Sequence, residues 1–139
     1  MLISMIYDNF NRGSIQNRER KQQIIDFSGI RYGKITPTDI DGAIEYHDKA
    51  WIFFEIKHRD APIPRGQLLA LMRIADDLQK SGKPTIICLC RHNVDDCNMD
   101  VQAAEIIVSD LYFDKEWHKE GNATLREMCD RFINYVDRR

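Results

Sequence analysis

The sequence predicts a mixed α/β fold for this chain of 139 residues, and three stretches carry that prediction. Residues 42–46 and 50–57 are rich in aromatic and β-branched side chains and flank a short polar turn, which is typical of a β-hairpin. Residues 67–78 repeat apolar side chains at the spacing of an amphipathic helix, and residues 85–90 form an apolar run typical of a buried strand. A strand–helix–strand connection within one sheet predicts parallel strands at 50–57 and 85–90.

Local signals predict the remaining elements. Residues 14–27 are predicted to be helical, because Ser14 is a suitable N-cap and a glycine follows the last apolar residue. A strand is predicted at 30–35, ahead of the hairpin. Beyond the buried strand, an apolar run predicts a further strand within 105–113, and one apolar stripe predicts a helix over 124–136.

Three charged side chains are predicted to meet at one end of the hairpin. A three-residue turn at 47–49 pairs Asp41 with Glu55 across the two strands. Directly opposed residues have Cβ atoms roughly 4.5–5.5 Å apart, and Lys57 shares their face because side chains alternate along a strand. Asp41, Glu55 and Lys57 are therefore expected to converge, whereas a two-residue turn would place the two acids on opposite faces.

Such a pair of acids suggests a divalent cation. Strand 50–57 is apolar on both faces until Glu55, and packing alone explains this change of character poorly. Two carboxylates held close together repel each other and are costly to bury unless a cation joins them. Hard oxygen ligands select Mg²⁺ or Mn²⁺ over softer metals.

These residues resemble a known superfamily. Segments 38–42 (Thr-Asp-Ile-Asp-Gly), 54–57 (Phe-Glu-Ile-Lys) and 65–67 (Arg-Gly-Gln) are similar to the motifs of the PD-(D/E)XK nucleases. That superfamily includes restriction endonucleases, Holliday-junction resolvases and small nucleases of phages and mobile elements. The resemblance implies one domain over the whole chain, with a restriction-endonuclease-like αβββαβ core at about 14–91. Residues 92–139 would add a C-terminal strand and helix.

The resemblance also implies a reaction and a site. The expected activity is hydrolysis of phosphodiester bonds in nucleic acid, with DNA as the expected substrate and Mg²⁺ or Mn²⁺ as the cofactor. Asp41, Glu55 and the backbone carbonyl of Ile56 would bind the metal. Lys57 would position the attacking water or stabilise the anionic transition state. Gln67 corresponds to a polar residue that in several branches orients the lysine or touches DNA.

Two ligand assignments stay open at this stage. In the superfamily the proline directly precedes the acid, whereas here Pro37 lies two residues before Asp39 and four before Asp41. Asp39 is therefore the substitute if Asp41 is not the ligand. Glu19 on the predicted first helix is a candidate further ligand, and its alternative interpretation is an ordinary surface glutamate.

The charge distribution permits a nucleic-acid partner without demanding one. The formal net charge is −2, but residues 1–91 carry 14 basic and 11 acidic side chains, whereas residues 92–139 carry 6 and 11. Arg59 and Arg65 are candidate phosphate contacts, and a homodimer is a further expectation. Two other function classes stay open: a nuclease fold that only binds nucleic acid or assembles, and a small α/β protein-interaction domain.

The sequence also predicts a cellular location and a role for the cysteines. No stretch approaches the roughly 18 apolar residues of a membrane span, and the N-terminus lacks a signal-peptide pattern, so the expected location is the cytoplasm without a membrane partner. Cys88 and Cys90 are predicted to pack in the core. The alternative, a zinc site with His92 and Cys97, lacks the paired Cys-x-x-Cys spacing of common structural sites.

Overall fold

The computed structural model describes residues 23–139. The chain divides into two compact units, Met1–Pro37 and Thr38–Arg139. The second unit contains a five-stranded sheet and two α-helices. No helix within 23–139 is long and apolar enough to span a membrane.

The described part of the first unit is short and irregular. It contains a 3₁₀ helix, Ser28–Ile30, and a bridge in which Tyr32 and Ile35 exchange backbone hydrogen bonds of 2.9 Å. Gly33 adopts a left-handed conformation (φ 62°) and folds the chain back on itself between them. The prediction of a strand at 30–35 is therefore wrong, because the chain turns at Gly33.

The predicted first helix falls mainly outside the described residues. Residues 23–27, the end of the predicted helix over 14–27, contain no helical turn. Its remainder, and with it Glu19, lies outside the part of the chain that the structure describes.

The second unit has an α/β fold with a mixed sheet, which confirms the predicted fold class. In the sheet the strands lie in chain order, and only β2 and β3 are parallel to each other. The elements are β1 (Gly42–Tyr46), β2 (Ala50–His58), α1 (Arg65–Lys80), β3 (Thr85–His92), β4 (Ile107–Phe113), β5 (Glu116–Lys119) and α2 (Leu125–Asp137).

The β1–β2 hairpin has the predicted register. Tyr46 pairs with Ala50, and Gly42 pairs with Phe54. The three-residue turn forms because His47 adopts a left-handed conformation (φ 49°), as does the residue after it. Side chains of β2 therefore alternate between the two faces of the sheet as the sequence predicts.

Helix α1 covers one face of the sheet. It connects the parallel strands β2 and β3, as predicted, and its apolar stripe packs on alternate side chains of the sheet. The buried residues of this cluster are Phe53, Leu71, Ala75, Ile87, Leu89 and Tyr112.

Helix α2 covers the opposite face, so the central strands are buried on both sides. Its N-terminus is fixed by a capping box in which Thr124 and Glu127 bond each other's backbone N–H groups at 3.1 and 3.2 Å. Cys88 and Cys90 lie in this second core, as predicted. Burial raises the pKa of the Cys90 thiol to about 12, so the thiol is protonated at neutral pH.

Candidate active site

Glu55 lies on the face that α1 covers, at the point where β2 stops being apolar. Its neighbour on β3 is Leu89, and its neighbour two residues earlier on the same face is the buried Phe53. Among the described residues it is the only charged side chain that is buried, with no exposed surface. A carboxylate in such a place requires compensating partners, because burying a charge is costly.

Lys57 supplies one of these partners. Its Nζ lies 3.0 Å from Glu55 Oε1, at ion-pair distance, and 24% of its side chain is exposed. Apart from this ion pair, no described residue donates a hydrogen bond to Glu55 Oε1. The ammonium of Lys57 is therefore the cation that offsets the charge on this oxygen.

Gln67 supplies the other partner from the first turns of α1. Its Nε2 donates to Glu55 Oε2 at 3.1 Å and to the backbone carbonyl of Asp39 at 2.9 Å. The predicted polar residue thus contacts the glutamate rather than the lysine. It joins helix, strand and the segment before β1 at a single side chain.

Asp41 brings a second carboxylate to the same end of the hairpin. Its Oδ2 accepts a hydrogen bond of 2.7 Å from the backbone N–H of Ile56. Because the N–H and C=O of one strand residue point to the same side, the Ile56 carbonyl faces this edge too. Asp41 is exposed whereas Glu55 is not, so the acid pair is open to solvent on the side of Asp41.

Gly42 allows Asp41 to come this close to β2. The ring of Phe54, its partner across the hairpin, lies over the glycine, and a Cβ at Gly42 would overlap that ring. The Asp-Gly pair therefore has a packing reason as well as a chemical one.

The surroundings of Glu55 change its pKa. Burial raises the pKa of Glu55 above its ordinary value, and Asp41 raises it further by charge repulsion. Lys57 acts in the opposite direction. The ionised form of Glu55 is thus disfavoured, and a cation bound nearby would stabilise it.

The residues present fit Mg²⁺ or Mn²⁺. Two carboxylates and a backbone carbonyl are hard oxygen ligands, and Mg²⁺ commonly binds through one or two carboxylates while keeping several waters. Within residues 23–139, no group of three or more His, Cys, Asp or Glu side chains could hold a metal ion. The candidate site therefore rests on two acids, and the zinc alternative at Cys88, Cys90, His92 and Cys97 has no support.

Arg59 and Arg65, the candidate phosphate contacts, differ in their surroundings. Arg59 donates to Asp95 through Nε at 2.8 Å and through a second guanidinium nitrogen, while His58 contacts the same carboxylate at 2.8 Å. Asp95 therefore neutralises Arg59. Arg65 is exposed in the first turn of α1 and forms no ion pair within the described residues.

Arg91 is a supporting residue that the sequence analysis missed. It lies beside Lys57 in the parallel register, and its guanidinium donates to the backbone carbonyls of Arg59 and Ala61, both at 2.8 Å. These bonds hold the loop that leads from Lys57 to α1. The available signal was its position directly after the apolar run of β3, which the strand continues as far as His92.

Comparison with known proteins adds no relative. No protein-family model, no curated protein and no solved structure matches the chain.

Proposed function

We propose that this protein is a metal-dependent nuclease that hydrolyses phosphodiester bonds in nucleic acid, with DNA as the expected substrate. One observation carries the proposal: the fully buried Glu55 carboxylate lies beside the second carboxylate of Asp41 and 3.0 Å from the Lys57 ammonium. A protein that only needed a stable core would gain by placing an apolar side chain there. A buried glutamate beside an exposed aspartate is instead suited to bind a divalent cation that arrives from solvent.

The roles of the side chains follow from their positions. Asp41, Glu55 and the Ile56 carbonyl would hold Mg²⁺ or Mn²⁺. When bound, such an ion lowers the pKa of a coordinated water and offsets charge on the phosphate oxygens. Gln67 fixes one oxygen of Glu55, which leaves the other directed toward Lys57.

Lys57 has the position of an electrostatic group. Its ammonium is partly exposed and lies at the mouth of the site, 3.0 Å from the buried carboxylate. A fixed positive charge at this place stabilises the extra negative charge that develops on a phosphodiester during hydrolysis. The exposed Asp41 marks the side from which the phosphate would enter.

A cleavage assay with a matched control tests this proposal. The full chain is incubated with linear, circular, single-stranded and branched DNA, and with RNA, in Mg²⁺, Mn²⁺ or EDTA. We expect cleavage with metal, none in EDTA and none by the Glu55→Gln variant. The control Asp77→Asn, an exposed acid on α1, should cut like the wild type. DNA binding without metal-dependent cleavage would reject the proposal in favour of a silent binding module.

A further inference from the structure

A shallow depression lies at the C-terminal end of α2, away from the candidate active site. Its volume is about 480 Å³. Helix α2 covers the sheet face opposite to that of Glu55, and its last residue, Asp137, bonds Tyr46 at the turn end of the hairpin. The residues that line it are Arg131, Asn134, Tyr135, Arg138 and Arg139.

Three arginines give the depression its positive charge. All three of its arginines are exposed, and no acidic residue lines it in the part of the chain that the structure describes. Within the same residues, none of the three guanidinium groups forms an ion pair.

The two acids nearest in sequence are engaged elsewhere. Asp137 accepts a hydrogen bond of 2.8 Å from the Tyr46 hydroxyl and lies 3.9 Å from Lys49 Nζ. Asp130 accepts from Arg126 Nε at 3.1 Å. Both acids therefore have partners other than the arginines of the depression.

An aromatic ring accompanies this charge. Tyr135 is 46% exposed, yet its ring is held in place by Phe113 at 5.8 Å and Phe132 at 6.1 Å between ring centroids. A ring that is fixed on one side and open on the other can stack on a nucleobase without a large loss of conformational entropy.

We propose that this depression is a second nucleic-acid surface. Arg131, Arg138 and Arg139 bind the phosphodiester backbone, and Tyr135 stacks on a base of a single strand. Planar guanidinium groups match phosphate geometry, and the ring favours a nucleic acid over an acidic peptide, which offers charge but no base. The proposal rests on the proposed nuclease function and deepens it. It assigns a second surface, remote from the cleavage site, that binds the same substrate.

Binding measured without metal tests the surface. Fluorescence anisotropy in EDTA gives the Kd of the full chain for a labelled single-stranded DNA at several salt concentrations. The triple variant Arg131→Gln/Arg138→Gln/Arg139→Gln should bind more weakly, and its salt slope should fall by about 2, the loss expected for three phosphate contacts. Lys119→Gln, on β5 and paired with Asp110 at 3.0 Å, should keep the wild-type slope. Tyr135→Leu should weaken single-strand binding about tenfold.

Each other outcome overturns the proposal. An unchanged slope in the triple variant would do so, as would an equal loss in the Lys119 control. Competition by polyglutamate as strong as that by unlabelled DNA would assign the surface to acidic protein segments instead.

The result also separates this surface from the proposed nuclease site. If the triple variant loses affinity while the wild type never cleaves, the surface stands and the nuclease function falls. If Glu55→Gln abolishes cleavage while the triple variant binds normally, the reverse holds.

Discussion

Gln67 and Glu55 are joined by a hydrogen bond of 3.1 Å, in which the amide at the start of α1 donates to the buried carboxylate of β2. The same amide nitrogen donates to the Asp39 carbonyl at 2.9 Å. Because both acceptors are fixed in the backbone or the core, the glutamate has little rotational freedom. A metal ligand with one oxygen restrained in this way presents the other oxygen in a defined direction.

Replacing Gln67 by leucine should weaken the metal site without removing a ligand. The variant loses the donor that orients Glu55, so we expect Mn²⁺ affinity to fall about 10- to 100-fold, the usual cost of losing such a supporting hydrogen bond. Calorimetric titration of Mn²⁺ measures the change, with Asp77→Asn as the control. Wild-type affinity in the leucine variant would show that Gln67 has no orienting role.

The stability of the metal-free protein should depend on pH through Glu55. Its pKa is raised in the folded state, chiefly by burial, so the folded chain binds this proton more tightly than the unfolded chain. By linkage, the contribution of Glu55 to stability falls as pH rises from its ordinary pKa of 4.5 through the raised value, and levels off above it.

The Glu55→Gln variant should lack this decline. Thermal melting in EDTA between acidic and neutral pH measures both proteins, and near neutral pH the variant should melt at an equal or higher temperature. A wild type whose melting temperature follows the same pH curve as the variant would contradict the raised pKa.

Gly42→Ala should disturb the hairpin beside the site. The added Cβ would overlap the Phe54 ring, so we expect a loss of about 1–3 kcal/mol in the free energy of unfolding, with reduced cleavage because Asp41 is displaced. Gly66→Ala is the matched control, since nothing lies within 4 Å of its Cβ position. Urea denaturation measures both variants, and equal stability of the two would contradict the close packing at Gly42.

Lys57→Met should separate metal binding from catalysis. The variant keeps both carboxylates, so Mn²⁺ should still bind. Cleavage should slow about a hundredfold, because a charge that stabilises the transition state is worth roughly 3 kcal/mol. Calorimetric titration and single-turnover cleavage are run on one preparation. Loss of metal binding together with cleavage would instead make Lys57 a structural partner of Glu55.

Asp95→Asn should release Arg59. The hydrogen bonds from Arg59 and His58 hold the pKa of Asp95 well below its usual range, so the carboxylate stays charged and neutralises the arginine over the ordinary pH range. The ionised Asp95 carboxylate stabilises the fold at any pH above the pKa that Asp95 has in the unfolded chain. This stabilisation is lost as pH falls through the lower pKa that Asp95 has in the folded chain.

The freed guanidinium adds one phosphate contact, and the salt slope for duplex DNA should steepen by about 0.9. Anisotropy in EDTA measures it against Asp114→Asn, an exposed acid in a turn. An unchanged slope would remove Arg59 from the candidate phosphate contacts.

The hairpin and its charged end could be predicted because one pattern determines them. Alternating apolar side chains fix which residues of β2 face the core, and the register with β1 then places Asp41 near Glu55. The contact between Gln67 and Glu55 was not predicted. Predicting it requires knowing that α1 lies over the same face of the sheet as Glu55.

The remaining features depend on signals that the local pattern does not contain. The strand expected at 30–35 is replaced by a turn at Gly33, whose left-handed conformation is not visible in an apolar run. Strand β5 (Glu116–Lys119) is short and polar, so its pairing with β4 leaves little trace in the sequence. Asp95 binds Arg59 from 36 residues away, a separation that no sequence spacing marks.

We propose that Asp41 and Glu55 hold a divalent cation and that the protein uses it to hydrolyse nucleic acid. The most direct measurement is Mn²⁺-dependent cleavage by the wild type and by Glu55→Gln, with Mn²⁺ binding titrated in the same preparations. The wild type should bind Mn²⁺ and cut, whereas the variant should lose both while melting no earlier in EDTA. Full cleavage by the Glu55→Gln variant, or no cleavage by a wild type that binds Mn²⁺, would contradict the proposed mechanism.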